Sequence, residues 1–319
     1  MKIAFMGTPD FAVPALSMLF DSEHEVTHVF TQPDRPKNRG KKLAPSDVKL
    51  CALSSGLAED RIIQPRSLRK GEDAEPALEL LKAAAPDLIV VAAYGQILPA
   101  GVLAVPRLGC VNIHASLLPK YRGASPMNAC IRAGDRETGV TLMYMAEGLD
   151  TGDMIASCKV AVGGGTNAGE LSAVLSVAGA NLLRETLPAI ENGTAPRIPQ
   201  DDRKATYAGL IKKEDSHINF AQSAVQVHND IRGLPAPYTF INGRRVKILK
   251  SDVRGHVEGE AGQIARVGSE MIVVCENGSV ALLEIAPEGK KHMSGSDFLN
   301  GQNGVVSVDS EGVEICLLS

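Results

Sequence analysis

An amide, an imidazole and a carboxylate are sufficient tools for acyl transfer without a metal, and this chain places them in two short segments. The first is Cys110-Val-Asn-Ile-His-Ala-Ser-Leu-Leu-Pro-Lys-Tyr-Arg-Gly123, and the second is Gly148-Leu-Asp-Thr-Gly-Asp153. A strand over Val111 to Ser116 puts Asn112 and His114 on one face, because side chains two residues apart point the same way. An Asn amide donates to an oxygen that is gaining negative charge, and a His moves protons near neutral pH. A carboxylate arriving from a separate loop, Asp150, would fix the imidazole tautomer and favour its protonated form. Taken singly, each residue has a plainer reading. Asn and His are common turn or surface groups at strand ends, and Asp150 suits an Asx-turn.

The combination is more specific than its members. Asn-x-His-x-Ser-Leu-Leu-Pro, Arg-Gly-Ala-Ser-Pro and Leu-Asp-Thr-Gly-Asp occur in that order, and in this the chain resembles the folate-dependent formyltransferases. The resemblance implies 10-formyltetrahydrofolate as one-carbon donor, no metal, and Asn112, His114 and Asp150 as the catalytic residues. It also implies a folate-binding signature at Ser116, Leu117, Leu118 and Pro119, with Lys120 beside it. These residues would shape the pocket rather than react. The folate is expected between Ala92 to Leu98, where Tyr94 and Ile97 are contact candidates, and a loop spanning Val140 to Asp150. Arg122 and Gly123 are read as turning the loop between them.

Stepping from these residues to the elements that must hold them, the first half alternates apolar strands with helices. Lys2 to Met6, Glu25 to Thr31, Asp87 to Tyr94 and Val111 to Ala115 suit a buried parallel sheet. Helical spacing spans Phe11 to Phe20 and Ala74 to Ala85, the latter stopped by Pro86. This βαβ rhythm predicts a Rossmann-like, doubly wound, mostly parallel sheet with ligands outside the carboxyl ends of its strands. Gly7-Thr-Pro-Asp-Phe11, Ala93 to Ile97 and Asn112 to His114 all fall at such ends. The first of these lacks both Gly-x-Gly-x-x-Gly and the Walker lysine, which argues against a dinucleotide. Further strands are expected at Glu137 to Ala146 and Asp153 to Val162, then a helix from Asn167 to Asn192 ended by Gly193.

Residues 193–212 are polar, carry two prolines near their start and show no clear period, so they are read as a linker. They divide a catalytic domain, 1–192, from a C-terminal domain, 213–319. In the latter, a helix near Ala221 to Arg232 precedes short strands broken by Asn242-Gly243 and Asn277-Gly278. Asn-Gly between alternating runs is a strong hairpin signal, so a smaller OB-like β-barrel is predicted.

The 319 residues are 44% apolar and 22% charged, the composition of an ordinary globular chain. No stretch of about 18 apolar residues spans a bilayer, and the N-terminus lacks a signal-peptide run, so a cytoplasmic protein is expected. Cysteines at 51, 110, 130, 158, 275 and 316 show no paired short spacing, so neither a zinc site nor a disulfide framework is indicated.

Two features bear on the acceptor amine. The loop Thr31 to Leu43 carries five basic residues and resembles the insertion by which tRNA-directed family members engage the acceptor arm. Arg39, Lys41 and Lys42 lie in its Arg-Gly-Lys-Lys core. The second is the extra β domain, which resembles a tRNA-binding OB-like module and carries Arg244, Arg245 and Lys247 in a short basic run. Against this, residues 213–319 hold 10 Lys and Arg and 14 Asp and Glu, so RNA would have to meet a local stripe. The acceptor then implied is the amino group of methionine on initiator methionyl-tRNA, with the chain acting as a monomer. A sugar-nucleotide formyltransferase is the alternative, disfavoured by the basic loop. A formyltetrahydrofolate hydrolase is disfavoured because the chain opens on its first strand. A non-catalytic tRNA- or folate-binding protein has no use for the Asn–His–Asp set.

Overall fold

In the computed structural model, residues 1–37, 42–301 and 308–309 are described, the last two and residues 37 and 42 by their backbone alone. The chain divides into two compact units. The first holds Met1–Pro126, Glu137–Ala161 and Leu171–Ala208, and the second holds Met127–Arg136, Val162–Glu170 and the residues from Gly209 onward.

The strands of the first unit are β1 (Lys2–Gly7), β2 (Glu25–Phe30), β3 (Arg35–Lys37), β4 (Lys42–Ala44), β5 (Ile62–Ile63), β6 (Leu88–Ala92), β7 (Cys110–His114), β8 (Glu137–Tyr144) and β9 (Met154–Ala161). Seven of them form one sheet in the order β5-β2-β1-β6-β7-β8-β9, while β3 and β4 make a separate hairpin at the basic loop. Pairing is parallel from β5 through β7 and antiparallel from β7 to β9. The buried residues of β1 and β6 are apolar throughout, as both faces are covered.

Helices α1 (Val13–Phe20), α2 (Asp47–Ser54), α3 (Ala74–Ala84), α4 (Ala100–Leu103), α5 (Pro126–Ala133) and α6 (Ala168–Glu191) join these strands. Cys110 packs with Ala4, Met6, Leu81 and Val102 on one face of the sheet. On the other face Ile113 meets α6, where a Cβ at Gly179 would stand 2.7 Å from the Ile113 Cγ2 and 3.4 Å from the Val140 Cγ1. This is the doubly wound architecture expected, with its strand order reversing between β1 and β6. Asn167 and Glu170 cap α6 reciprocally, each side chain accepting from the other's backbone N–H at 3.0 Å.

The second unit is all antiparallel in its sheet. It contains β10 (Tyr238–Ile241), β11 (Arg244–Arg254), β12 (Ile264–Val267), β13 (Glu270–Val274), β14 (Ser279–Pro287), β15 (Met293–Ser294) and β16 (Val308–Asp309). The curled sheet runs β12-β13-β14-β11-β10-β16, with β15 on β14, and wraps a core shared with α7 (Ala224–Gly233) and α8 (Gly295–Asn300). Val227, Ile231, Ile248, Val273, Leu282 and Phe298 are buried there. Asn242 and Gly243 turn β10 into β11 with φ of 50° and 67°, both left-handed, as a two-residue hairpin of this hand requires.

The division departs from a simple cut at 193–212. Residues 193–208 belong to the first unit, and Ile198 exchanges backbone hydrogen bonds with Met154 at 2.8 and 2.9 Å. Residues 127–136 and 162–170 belong to the second unit. Arg132 pairs there with the buried Asp230 at 2.7 Å, Asn128 donates to the Gly233 carbonyl, and Arg232 donates to the Thr166 carbonyl. Polarity and proline content make the segment look like a linker, yet Ile198, Gln200, Thr206 and Ala208 have hydrogen-bond partners within the first unit.

Gly179→Val should destabilise the first unit by about 1–3 kcal/mol, since the side chain would have to push α6 off β7 and β8. Urea unfolding followed by circular dichroism reads this out, and an unchanged midpoint would mean that α6 has room to spare.

Candidate active site

The site is built on the last two turns of the pleat of β7. Cys110, Asn112 and His114 share a face; Cys110 is in the core, Asn112 is half-buried and His114 is buried. Asn112 makes no side-chain hydrogen bond among the described residues, so its amide is available to a bound molecule. His114 is bracketed instead. Its Nε2 lies 3.0 Å from the Tyr121 carbonyl and its Nδ1 lies 3.6 Å from Asp150 Oδ2. A carbonyl only accepts, so Nε2 is the nitrogen that donates to Tyr121, and Nδ1 is the atom facing Asp150.

Asp150 is held as tightly as the ring. Its Oδ2 accepts from the Gly123 N–H at 2.8 Å, and its own backbone is left-handed with φ of 51°. Asp tolerates that conformation better than most residues, though at a cost, and surrounding contacts must secure it. The Gln200 Nε2 donates to both the Asp150 and the Gly152 carbonyls, each at 2.8 Å. A side chain at Gly152 would collide with the Tyr144 carbonyl, which explains the glycine in Leu-Asp-Thr-Gly-Asp. Gly123 has φ of 117°, and a Cβ there would meet the Ala208 carbonyl at 2.6 Å. Only glycine presents its N–H to Asp150 from that position.

The turn after β7 has its own anchor. Thr141 of β8 lies opposite His114 in the register and is fully buried. Its Oγ1 donates to the Ser116 carbonyl at 2.7 Å and accepts from the Leu118 N–H at 3.1 Å. The Ser116 hydroxyl donates to the Lys120 carbonyl at 2.6 Å.

The structure places the expected contact residues as follows. Ser116 is wholly buried and spends its hydroxyl on the turn, so it supports the signature rather than presenting a side chain. Leu118 is buried, Leu117 and Pro119 are half-buried and Lys120 is exposed. Tyr94 is only 2% exposed and packs its ring in the core with Met6, Leu81 and Val102. Its hydroxyl has no partner among the described residues, and burial pushes the phenol upward. Of the Tyr94–Ile97 pair, Ile97 alone is surface-exposed, at 62%. Val140 to Tyr144 belong to the strand β8, so the loop that carries Asp150 begins only at Met145. Cys110 is buried in the core, and burial pushes its thiol up to about 12.

Sequence reasoning missed four residues. Arg122 does more than turn a loop: it is 2% exposed, and its Nε and Nη2 both donate to Gln200 Oε1, at 3.0 and 2.8 Å. Its Nη2 also reaches Asp202 Oδ1 at 2.7 Å. Gln200, Thr141 and the Tyr121 carbonyl are the others. A buried arginine and a glutamine inside a supposed linker leave no periodic signal, and a carbonyl leaves none at all.

Of the residues expected to meet RNA, Arg39 and Lys41 lie outside the described residues, and Lys42 begins β4 with its side chain undescribed. Asp34, at the root of that hairpin, accepts from Gln64 at 2.7 Å and from Lys49 at 3.1 Å. The Gln64 hydrogen bond holds its carboxyl below the usual range. Arg244 and Lys247 are exposed on β11. Arg244 lines a hollow of about 300 Å3 with Glu288 and Lys290, and Arg245 stacks its guanidinium 3.7 Å from the Tyr238 ring centre. Glu23, His24 and Glu191 form one metal-like grouping among the described residues. The Met1 ammonium already meets His24 at 3.3 Å and Glu191 at 3.5 Å, which accounts for it.

Comparison with known proteins gives the family. Residues 1–187 match the family described as formyl transferase, and residues 210–303 match formyl transferase, C-terminal domain. The chain belongs to the formyl transferase family. It is 46% identical to the methionyl-tRNA formyltransferase of Bacillus velezensis over 95% of each chain. It is 45% identical to the protein of that name from Bacillus subtilis over 94% of each. Among solved structures, a sugar 3N-formyl transferase determined with dTDP and 5-N-formyl-THF superposes with a TM-score of 0.65 at 21% identity, covering 91% of this chain and 99% of that one. A methionyl-tRNA formyltransferase from Clostridium thermocellum gives 0.54 at 17% identity, covering 80% and 94%. These two likenesses establish the shared formyltransferase fold. None of the described helices is long and apolar enough to cross a membrane.

Thr141→Val keeps the shape but strips both turn contacts, leaving the buried Ser116 carbonyl and Leu118 N–H without Oγ1. A loss of roughly 1–3 kcal/mol is expected, with Thr141→Ser recovering most of it. Denaturant titration distinguishes the outcomes; a valine variant as stable as the parent would remove this anchor from the account.

Proposed function

We propose that this protein transfers the formyl group of 10-formyltetrahydrofolate to the amino group of methionine on initiator methionyl-tRNA, in the cytoplasm. The observation that carries the chemistry is the free Asn112 amide two residues from an imidazole whose Nδ1 faces Asp150 at 3.6 Å. The acceptor is supported by relatives named for it at 45% and 46% identity over nearly the whole chain. Bound 10-formyltetrahydrofolate supplies a formyl group on a nitrogen leaving group, a donor that suits a site of one amide, one imidazole and one carboxylate.

Asn112 donates to the formyl oxygen as the amine approaches and that oxygen gains charge. His114 takes at Nδ1 the proton that the attacking amine sheds. The same Nδ1 returns a proton to the departing nitrogen as the carbon–nitrogen bond breaks. Asp150 stands beside the charged ring and keeps its Nδ1 turned toward the reacting groups. The Ser116–Pro119 turn, pinned by Thr141, forms one wall of the donor pocket, and Ile97 marks another. Arg39, Lys41 and Lys42 of the basic loop and Arg244, Arg245 and Lys247 of β11 hold tRNA phosphates, positioning the acceptor without reading sequence.

The purified protein should formylate charged initiator tRNA and leave an amino-sugar nucleotide and water nearly unreacted. Asn112→Ala should lower turnover about a hundred-fold or more while the KM for the folate donor barely moves, since the lost bond forms chiefly in the transition state. Preference for the sugar nucleotide would replace the acceptor assigned here. Near-normal turnover of the variant would take the amide out of the chemistry.

A further inference from the structure

Resting on the His114–Asp150 reading above, we propose that Gln200, oriented by Arg122, is a positioning residue that holds Asp150 in register with His114. The bonds run in one direction. Arg122 can only donate, so the two contacts at 3.0 and 2.8 Å fix Oε1 as the atom of Gln200 that faces it. The amide nitrogen must then face the other way. There its two hydrogens meet two carbonyls, those of Asp150 and Gly152, each at 2.8 Å. A glutamine free to flip would present its oxygen to those carbonyls half the time and repel them. The buried guanidinium removes that freedom.

The same arginine sits in the segment that holds the other side of the pair. Tyr121 contributes the carbonyl on His114 Nε2, and Gly123 contributes the N–H on Asp150 Oδ2. Between them, Arg122 exchanges backbone hydrogen bonds at 2.8 Å with Thr206 and Ala208. Three consecutive residues thus touch the imidazole, the carboxylate and, through Gln200, the backbone that carries the carboxylate. Asp150 is left-handed at φ of 51°, so without donors on its carbonyl and on that of Gly152 the loop would relax toward ordinary φ. The carboxylate would then swing away from Nδ1. Ile198, bridged to Met154 at the start of β9, roots Gln200 beside the loop it holds.

Two substitutions separate positioning from scaffolding. Gln200→Glu preserves volume and gives Arg122 an acceptor, but it has no hydrogen for the two carbonyls. Gln200→Leu removes both functions. The readouts are kcat and KM for each substrate with methionyl-tRNA and 10-formyltetrahydrofolate, and amide exchange over residues 148–152 by mass spectrometry. Both variants should lose about tenfold or more in kcat, part of the roughly hundred-fold or greater contribution of a positioned general base, with each KM within about twofold and with faster exchange confined to that loop. Wild-type kcat in Gln200→Glu overturns the proposal, because retention of the Arg122 contact would then suffice. A kcat loss without faster loop exchange overturns it as well. If the parent protein transfers no formyl group to any acceptor, the function proposed above falls, while the exchange data still decide whether Gln200 holds the loop.

Discussion

The site in the first unit depends on the placement of one imidazole between a backbone carbonyl and a carboxylate. A histidine whose Nε2 is tied to a backbone carbonyl has one nitrogen left for chemistry, and here that nitrogen faces a carboxylate at 3.6 Å. Neither contact is local in sequence. The carbonyl comes from a turn seven residues on, and the carboxylate comes from a loop beyond β8. The demand on the fold is therefore to bring three chain segments to the carboxyl end of β7 and to keep them from drifting.

It meets that demand mostly with backbone groups. The Gly123 N–H holds the carboxylate, the Tyr121 carbonyl holds the ring, and Thr141 on the neighbouring strand pins the turn between them. Left-handed backbone at Tyr121 and Asp150, with φ of 59° and 51°, shows how sharply the chain must bend to do so. Residues 200–208 then close the arrangement from outside through Gln200, Thr206 and Ala208. A site assembled from backbone contacts at the end of an interior strand and two turns needs no large core of its own, and among the described residues the Asn112 side chain makes no hydrogen bond.

The sequence made the periodic parts legible. Apolar runs marked β1, β2, β6 and β7, Pro86 marked the end of α3, and Asn242-Gly243 marked the β10–β11 turn, because each is a one-residue or short-period consequence of backbone sterics. Asn112, His114 and Asp150 were visible as chemistry-bearing types in an ordered set of motifs. What stayed hidden depends on contacts between distant segments. Tyr94 looked like a pocket residue because it follows a strand end, but its ring turns back into the core. Residues 193–208 looked like a linker because they are polar, yet polarity there serves Arg122 and the Asp150 loop. A buried cation satisfied by a glutamine has no period to detect.

The central claim, that His114 keeps its proton on Nε2 and does its work at Nδ1, is open to direct measurement. Two-bond nitrogen–proton correlation spectra of 15N-histidine-labelled protein, assigned with His114→Gln, report which nitrogen of the neutral ring is protonated. At pH values where the ring is neutral, the account predicts the Nε2–H form, with the lone pair on Nδ1. An Nδ1–H form would place the proton on the Asp150 side, dissolve the Tyr121 contact and contradict the arrangement on which the proposed chemistry stands.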